Sequence, residues 1–298
     1  MDKFLKICLG VASVSIVLGI IIVAGIAVSG KGRDVIDVME NGGIYWSENG
    51  FTVGNAVEFG DVEITEANGK EFTYPANKFD NLDIELAEER FEIKEADVDE
   101  ITIRSTKDIK VSENGNTLHV ETPKRTYIVS VGKEDLQKVE ITLPKGMEFH
   151  TIDLEVGAGV LVADTLIAEK LQLELGAGLA EIANCICETA DINMAAGEVL
   201  IENGAVEKLD LDMSMGNFYF AGSVSEELGA DCEMGRIEIE LPGEVSNYNY
   251  TIDCGMGKVT VGDSSYGGVA CSKKVDNNAD IELDFNCGMG DINVIFNR

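Results

Sequence analysis

The side chains able to do chemistry fall into three groups: seven cysteines, two histidines and a large excess of carboxylates. Cys8 lies in an apolar N-terminal stretch. Cys232, Cys254 and Cys287 share one inward position of a repeat in which other copies carry Val156 or Leu175. They therefore read as small core residues. Stacked copies would bring such sulfurs together, but a disulfide demands a narrow geometry that spacing alone does not establish. Cys185 and Cys187 are one residue apart, not the two of a zinc knuckle or redox motif, and read as core or turn residues. The phrase Cys-Gly-Met-Gly at 254–257 and 287–290 reads as structural rather than metal-binding. His119 and His150 lie in or beside strands with no nucleophile signature nearby. Gly262, Asp263, Ser264 and Ser265 read as a turn. Gly157-Ala158-Gly159 and its copies lack the helix and lysine of a phosphate loop. No catalytic residue and no cofactor is expected, and a metal is left open.

The carboxylates are more informative. Asp and Glu number 54 against 23 Lys and Arg, a formal charge of -31. That excess repels nucleic-acid phosphates and anionic lipid headgroups and attracts cations. It is also patterned. Four or six residues before the closing glycine of successive repeats stand Asp153, Glu155, Glu174, Asp191, Asp210, Asp212, Asp231, Asp253 and Asp284. Stacked repeats would turn these into a stripe, and like charges at stacked positions repel unless screened or bridged. Two readings stand. The stripe binds a cation or a cationic ligand, or it is a solvated face that discourages edge aggregation. No copy carries a dense calcium-loop pattern.

The elements that must position these residues are strands. The closing glycines Gly159, Gly178, Gly197, Gly216, Gly235, Gly257 and Gly290 are spaced 19, 19, 19, 19, 22 and 33 apart. Positions three, five and seven before each, and two and four after it, are mostly apolar, as in Ile152, Leu154, Val156, Leu161 and Ala163. Period-two alternation repeated near every 20 residues implies a solenoid, because one coil cannot bury its own apolar face. Each coil is expected to hold two strands joined at a glycine corner, with a turn back to the next. Shorter alternating runs begin at Leu82-Asp83-Ile84-Glu85-Leu86. The expected fold is all-β, a parallel β-helix-like solenoid of ~19-residue coils, preceded by one N-terminal transmembrane helix.

That helix is expected from Ile7 to Val28, 22 uncharged residues, long enough for a hydrocarbon layer of about 30 Å. A cleaved signal peptide is the rival reading. The expected organisation is an anchor over 1–30, a juxtamembrane linker with short strands over 31–78, and a solenoid over 79–298 whose regular coils start at 152. Lys3 and Lys6 balance Lys31 and Arg33, so charge does not orient the helix. A short N-terminal tail reads as cytoplasmic and the large domain as extracellular. The insertion from Ser264 to Ala279 reads as a loop or a cap.

The run Phe79 to Leu86, the strand Ile141-Thr142-Leu143 before Pro144 and Gly146, and the glycine-closed coils resemble the DUF4097 β-strand repeat family. The resemblance covers about residues 79–298. It implies a β-helix-like domain displayed on a cell envelope, adhesin-like and sometimes tied to envelope stress, with no catalytic residues to transfer. The expected function is a non-enzymatic, membrane-anchored surface module that meets an envelope component or cationic ligand. The alternatives are a β-helix enzyme acting on polysaccharide and a scaffold that self-associates end to end through its last coil.

Overall fold

The computed structural model describes residues 44–47, 50–53, 69–87, 89–106, 108–122 and 138–297. The apolar stretch from Ile7 to Val28 lies outside the described residues. Among those described, no helix is long and apolar enough to cross a membrane. The only helical pieces described are two 3-10 turns, Ala76–Lys78 and Val245–Asn247.

The strands follow the alternation. β1 (Ile44–Ser47) and β2 (Gly50–Val53) form a hairpin. β3 (Lys70–Pro75), β4 (Asn81–Leu86), β5 (Arg90–Ala96), β6 (Glu100–Ser105), β7 (Lys110–Asn114), β8 (Thr117–Glu121) and β9 (Lys138–Pro144) come next. β10 (Phe149–Val156) then opens the regular coils. β11 (Val160–Pro242) is one unbroken path of extended backbone, 83 residues long. Drawn straight it would reach roughly 270 Å; it instead winds round, gaining one rung per coil. β12 (Tyr248–Cys254), β13 (Lys258–Val261), β14 (Ser264–Gly267), β15 (Cys271–Val275), β16 (Ile281–Cys287) and β17 (Asp291–Asn297) complete the chain.

The coil register is 19 residues: Ile152 pairs with Leu171, Leu154 with Leu173 and Val156 with Leu175, in parallel. Each inward position therefore becomes a column of buried apolar side chains along the axis, such as Ile152, Leu171, Ala190, Leu209 and Leu228. The coil has three sides rather than two. The expected return turn is a third buried side, carrying Leu166, Ala168, Cys185, Cys187, Val206 and Val224.

Glycine closes each corner for a steric reason. A Cβ on Gly178, Gly197, Gly216 or Gly235 would lie 2.0 to 2.2 Å from the carbonyl oxygen of the glycine one rung below. Gly197, Gly216 and Gly235 also have φ of +130° to +137°, where other residues are strained. Neighbouring corners are tied together directly, Ala177 N–H donating to Gly157 O and Leu179 N–H to Gly159 O.

Chain order and spatial order part at both ends. β16 and β17 lie between the coil at 228–242 and the coil made by β12 and β13: β16 pairs with β11 and β12, and β17 with β11 and β13. The last coil in sequence is thus an inner one, so end-to-end assembly through it is not available. At the other end, β4 and β5 sit between the coil of β10 and the coil of β8 and β9. Each outermost coil is covered by antiparallel strands. β7 pairs with β8, and β6 with β9 and β3. β15 pairs with β12, and β14 with β13, which makes the insertion after Ser264 a cap.

A glycine series tests the corner argument. Gly216→Ala should destabilise by about 2–4 kcal/mol, since both space and φ oppose it. Gly229→Ala meets only the mobile Asp210 Oδ1, at 3.1 Å, and should stay within about 1 kcal/mol of the parent. Urea unfolding midpoints decide the comparison.

Candidate functional site: an acidic ladder with a histidine end

The outward positions of the first side form two columns. From the N-terminal end, the first reads His119, Asp83, Asp153, Gln172, then Asp191 and Asp210, then Gly229, Asp284, Thr251 and Lys274. Beside it runs Glu121, Glu85, Glu155, Glu174, then Asn193 and Asp212, then Asp231, Asn286, Asp253 and Ser272. All nine carboxylates expected in the stripe lie on this face. Asp153 and Asp191 are half-buried and the other seven exposed. One neighbour relation differs from the simple repeat. Asp231 is followed by Asn286, not by Asp253, because the last coil is inserted between them.

Rungs of a sheet are about 4.8 Å apart, so the charges crowd. Desolvation and then Asp83, Glu174 and Glu155 raise the carboxyl of Asp153 above its ordinary range. Desolvation, with Asp191, Asp231 and Glu227, does the same for Asp210. Asp212 is raised by desolvation and by Asp231 and Asp210, and Asp284 by desolvation, Asp231, Asp253 and Glu227. Some relief is local. Lys170 Nζ lies 2.9 Å from Asp191, and Asn286 Nδ2 donates to Asp231 at 2.6 Å.

A second face shows what a paired acid looks like. Glu92 is buried, which pulls its carboxyl upward, yet hydrogen bonds from Lys94, Arg90 and Lys138 outweigh burial and bring it down to about 2. The distances are 2.7 Å from Lys94, 2.9 Å from Arg90 and 3.1 Å from Lys138.

The N-terminal end of the ladder holds a group that the repeat did not announce. Asp83, Glu85 and His119 offer ligand atoms that all lie within 4.8 Å of one another, each from a half-buried residue. His119 Nδ1 is 2.9 Å from Asp83 Oδ2, and Nε2 is 3.8 Å from Glu121. One imidazole and two carboxylates suit a divalent cation. The available signal was the pair of i, i+2 spacings, Asp83 with Glu85 and His119 with Glu121. Their meeting depends on β8 stacking against β4, which spacing does not reveal.

The cysteines stand where the repeat put them: Cys232, Cys254 and Cys287 are buried, as are Cys185 and Cys187, whose sulfurs are 3.9 Å apart. The third side forms a shallow open trough of about 890 Å³, lined in part by His150, Ile167, Ile186, Cys187 and Ala205. Asp80, Glu148, Glu169, Glu188 and Glu207 line it as well.

These features define an all-β solenoid with a charged outer ladder. Residues 79–295 match the Toastrack DUF4097 family, and the chain belongs to it. A search of curated proteins finds no match. Among solved structures, the chain is similar to a "putative adhesin" of Bacteroides fragilis at 14% identity, covering 79% of this chain and 100% of that one with a TM-score of 0.42. A "putative cell adhesion protein" of Clostridium sporogenes is also 14% identical, over 77% of this chain and 100% of its own, with a TM-score of 0.33. A "putative lipid binding protein" of Parabacteroides distasonis gives 14% over 77% and 98%, with a TM-score of 0.36.

The raised carboxyls fix a sign for pH dependence. In the folded chain Asp153, Asp210, Asp212 and Asp284 hold protons more tightly than when unfolded. Stability from these groups is lost as pH rises through their folded values and regained as it falls toward the ordinary carboxylate range. Glu92 loses its contribution only below its ordinary value, toward about 2. At low salt the thermal midpoint should therefore rise as pH is lowered from neutral toward the ordinary carboxylate range of about 4. Changing the four aspartates to Asn should flatten that rise and lift the midpoint at neutral pH; salt should flatten it too.

Proposed function

We propose that this protein is a non-enzymatic interaction module, held at a membrane by its N-terminal apolar stretch, that uses the acidic ladder to bind a cationic peptide or polymer. The observation that carries the reading is the ladder itself. Carboxylates recur on successive rungs with few intervening cations, and four of them are held above their ordinary range by desolvation and by one another. Such a line of charge favours any ligand that brings positive groups at a matching repeat. Lysines at alternate positions of an extended chain are about 6.8 Å apart on one face, and their long flexible side chains can bridge the difference from a rung spacing of about 4.8 Å. The neutral positions Gln172, Asn193, Gly229 and Thr251 break the ladder into patches, which favours a ligand with several spaced charges over one metal ion. The reading also places the ladder on the outer side of the membrane, facing envelope components.

Binding of oligolysine to the full-length chain tests the ladder. Affinity should fall steeply with salt, and Asp212→Asn, Asp231→Asn and Asp253→Asn together should weaken it at least about tenfold, or about 1.4 kcal/mol. Binding that ignores both salt and the triple change would remove the reading. Protease shaving of intact cells carrying a tag after Arg298 tests the location. Loss of the tag with a cytosolic control intact is expected; a tag cut only after lysis puts the ladder inside.

A further inference from the structure

The N-terminal end of the ladder differs from the rest of it. There the face gains an imidazole, because β8 stacks in register on β4. His119 lies beside Asp83, and Glu121 beside Glu85. Alternate residues of a strand share a face, so these four side chains stand at the corners of a rectangle on the outer surface. Its sides are about 4.8 Å between strands and about 6.8 Å along them.

The ligand atoms come closer than the backbone does. His119 Nδ1 is 2.9 Å from Asp83 Oδ2. One atom each from Asp83, Glu85 and His119 all lie within 4.8 Å of one another. A tetrahedral or octahedral shell with bonds of about 2.1 Å places neighbouring ligand atoms roughly 3.0–3.4 Å apart. Side-chain rotation covers the remaining difference. Among the described residues no other three His, Cys, Asp or Glu side chains converge in this way, although the chain holds 54 acids. Convergence on an imidazole, rather than charge, sets this place apart.

The surroundings suit a metal as well. Glu121 lies 3.8 Å from Nε2, the other ring nitrogen. It is itself held by Lys110, 2.8 Å away on the covering strand β7. A carboxylate there favours the tautomer with its proton on Nε2, which leaves the Nδ1 lone pair for a metal. On the next rung Asp153 lies beside Asp83 and Glu155 beside Glu85, and both add negative potential. The donor set selects the ion. Imidazole suits zinc and its transition-metal neighbours, whereas calcium and magnesium take oxygen ligands.

We propose that Asp83, Glu85 and His119 bind one zinc(II) ion, through Nδ1 of the imidazole and one oxygen of each carboxylate. Water completes the shell, and Glu121 positions the ring. Any proton on Nδ1 leaves to solvent as the metal–nitrogen bond forms, and no electron is transferred. The site is separate from the cationic-ligand reading of the ladder and does not rest on it.

The chain has two histidines, which makes the test direct. The full-length, reduced chain is labelled with nitrogen-15 in histidine, and His150→Gln assigns the two imidazoles. Zinc should move the His119 signals to saturation, with the metal on Nδ1 and the proton on Nε2. His150, which faces Glu169, should respond at least about tenfold more weakly. Asp83→Asn and Glu85→Gln, each alone, should weaken zinc at His119 by about tenfold or more. Calcium in about hundredfold excess should not displace it. The triple change Asp212→Asn, Asp231→Asn and Asp253→Asn, which tests the ladder, should leave zinc affinity within about twofold. His119 signals that zinc leaves unmoved overturn the proposal. So do two imidazoles that respond alike, carboxylate variants that bind as the parent does, or calcium that competes on equal terms. Loss of zinc in the triple variant assigns the ion to the ladder as a whole and overturns the proposal too.

Discussion

The close approach of one coil to the next at the glycine corner is the constraint on which the structure rests. Each corner glycine presents its carbonyl oxygen to the glycine one rung above, with no room for a Cβ between them. Holding that contact along the axis locks the register at 19 residues per coil. Once register is locked, every position in a coil lies over the same position in the next. The fold is then a set of columns, and what matters about a residue is what it repeats.

Inside, repetition is favourable. Leucine over leucine and isoleucine over isoleucine bury continuous apolar columns. Outside, the same rule sets carboxylate over carboxylate. The chain softens this with neutral residues at some rungs and with Lys170 beside Asp191, but it does not neutralise the face. The contrast with Glu92, surrounded by three cations, shows that the fold can pair an acid where it does so. An exposed acidic face also repels other copies of the same face, so its charge favours solubility.

Much of this was legible beforehand because period-two alternation and a fixed repeat each have a single physical meaning. Ile152, Leu154 and Val156 could only face inward together, and Asp153 and Glu155 outward. The cap after Ser264 was visible as broken spacing. What escaped depends on which coil touches which. Local pattern makes β12 and β16 alike, so nothing in either says that β16 sits inside. The same ambiguity hid the meeting of Asp83 and Glu85 with His119, and of Cys271 with Cys254, since both cross between segments that the repeat leaves unrelated. The third side of the coil was also missed, because its small residues, such as Ala168 and Cys187, alternate weakly.

The placement of β16 and β17 bears on how the molecule comes into being. A repeat array can ordinarily grow coil by coil as it is synthesised, each new rung sealing onto the previous one. Here the coil at 228–242 keeps an open edge while β12, β13 and the cap emerge, because its partners β16 and β17 come after them in the chain. Residues 281–297 act as a keystone. Until they arrive, the coil of β12 and β13 has nothing to rest on, and a chain cut short by even one coil lacks an interior layer rather than an end. Closure of the sheet therefore waits for residues 281–297, and a copy lacking them exposes unpaired strand edges of the kind that chaperones and proteases recognise.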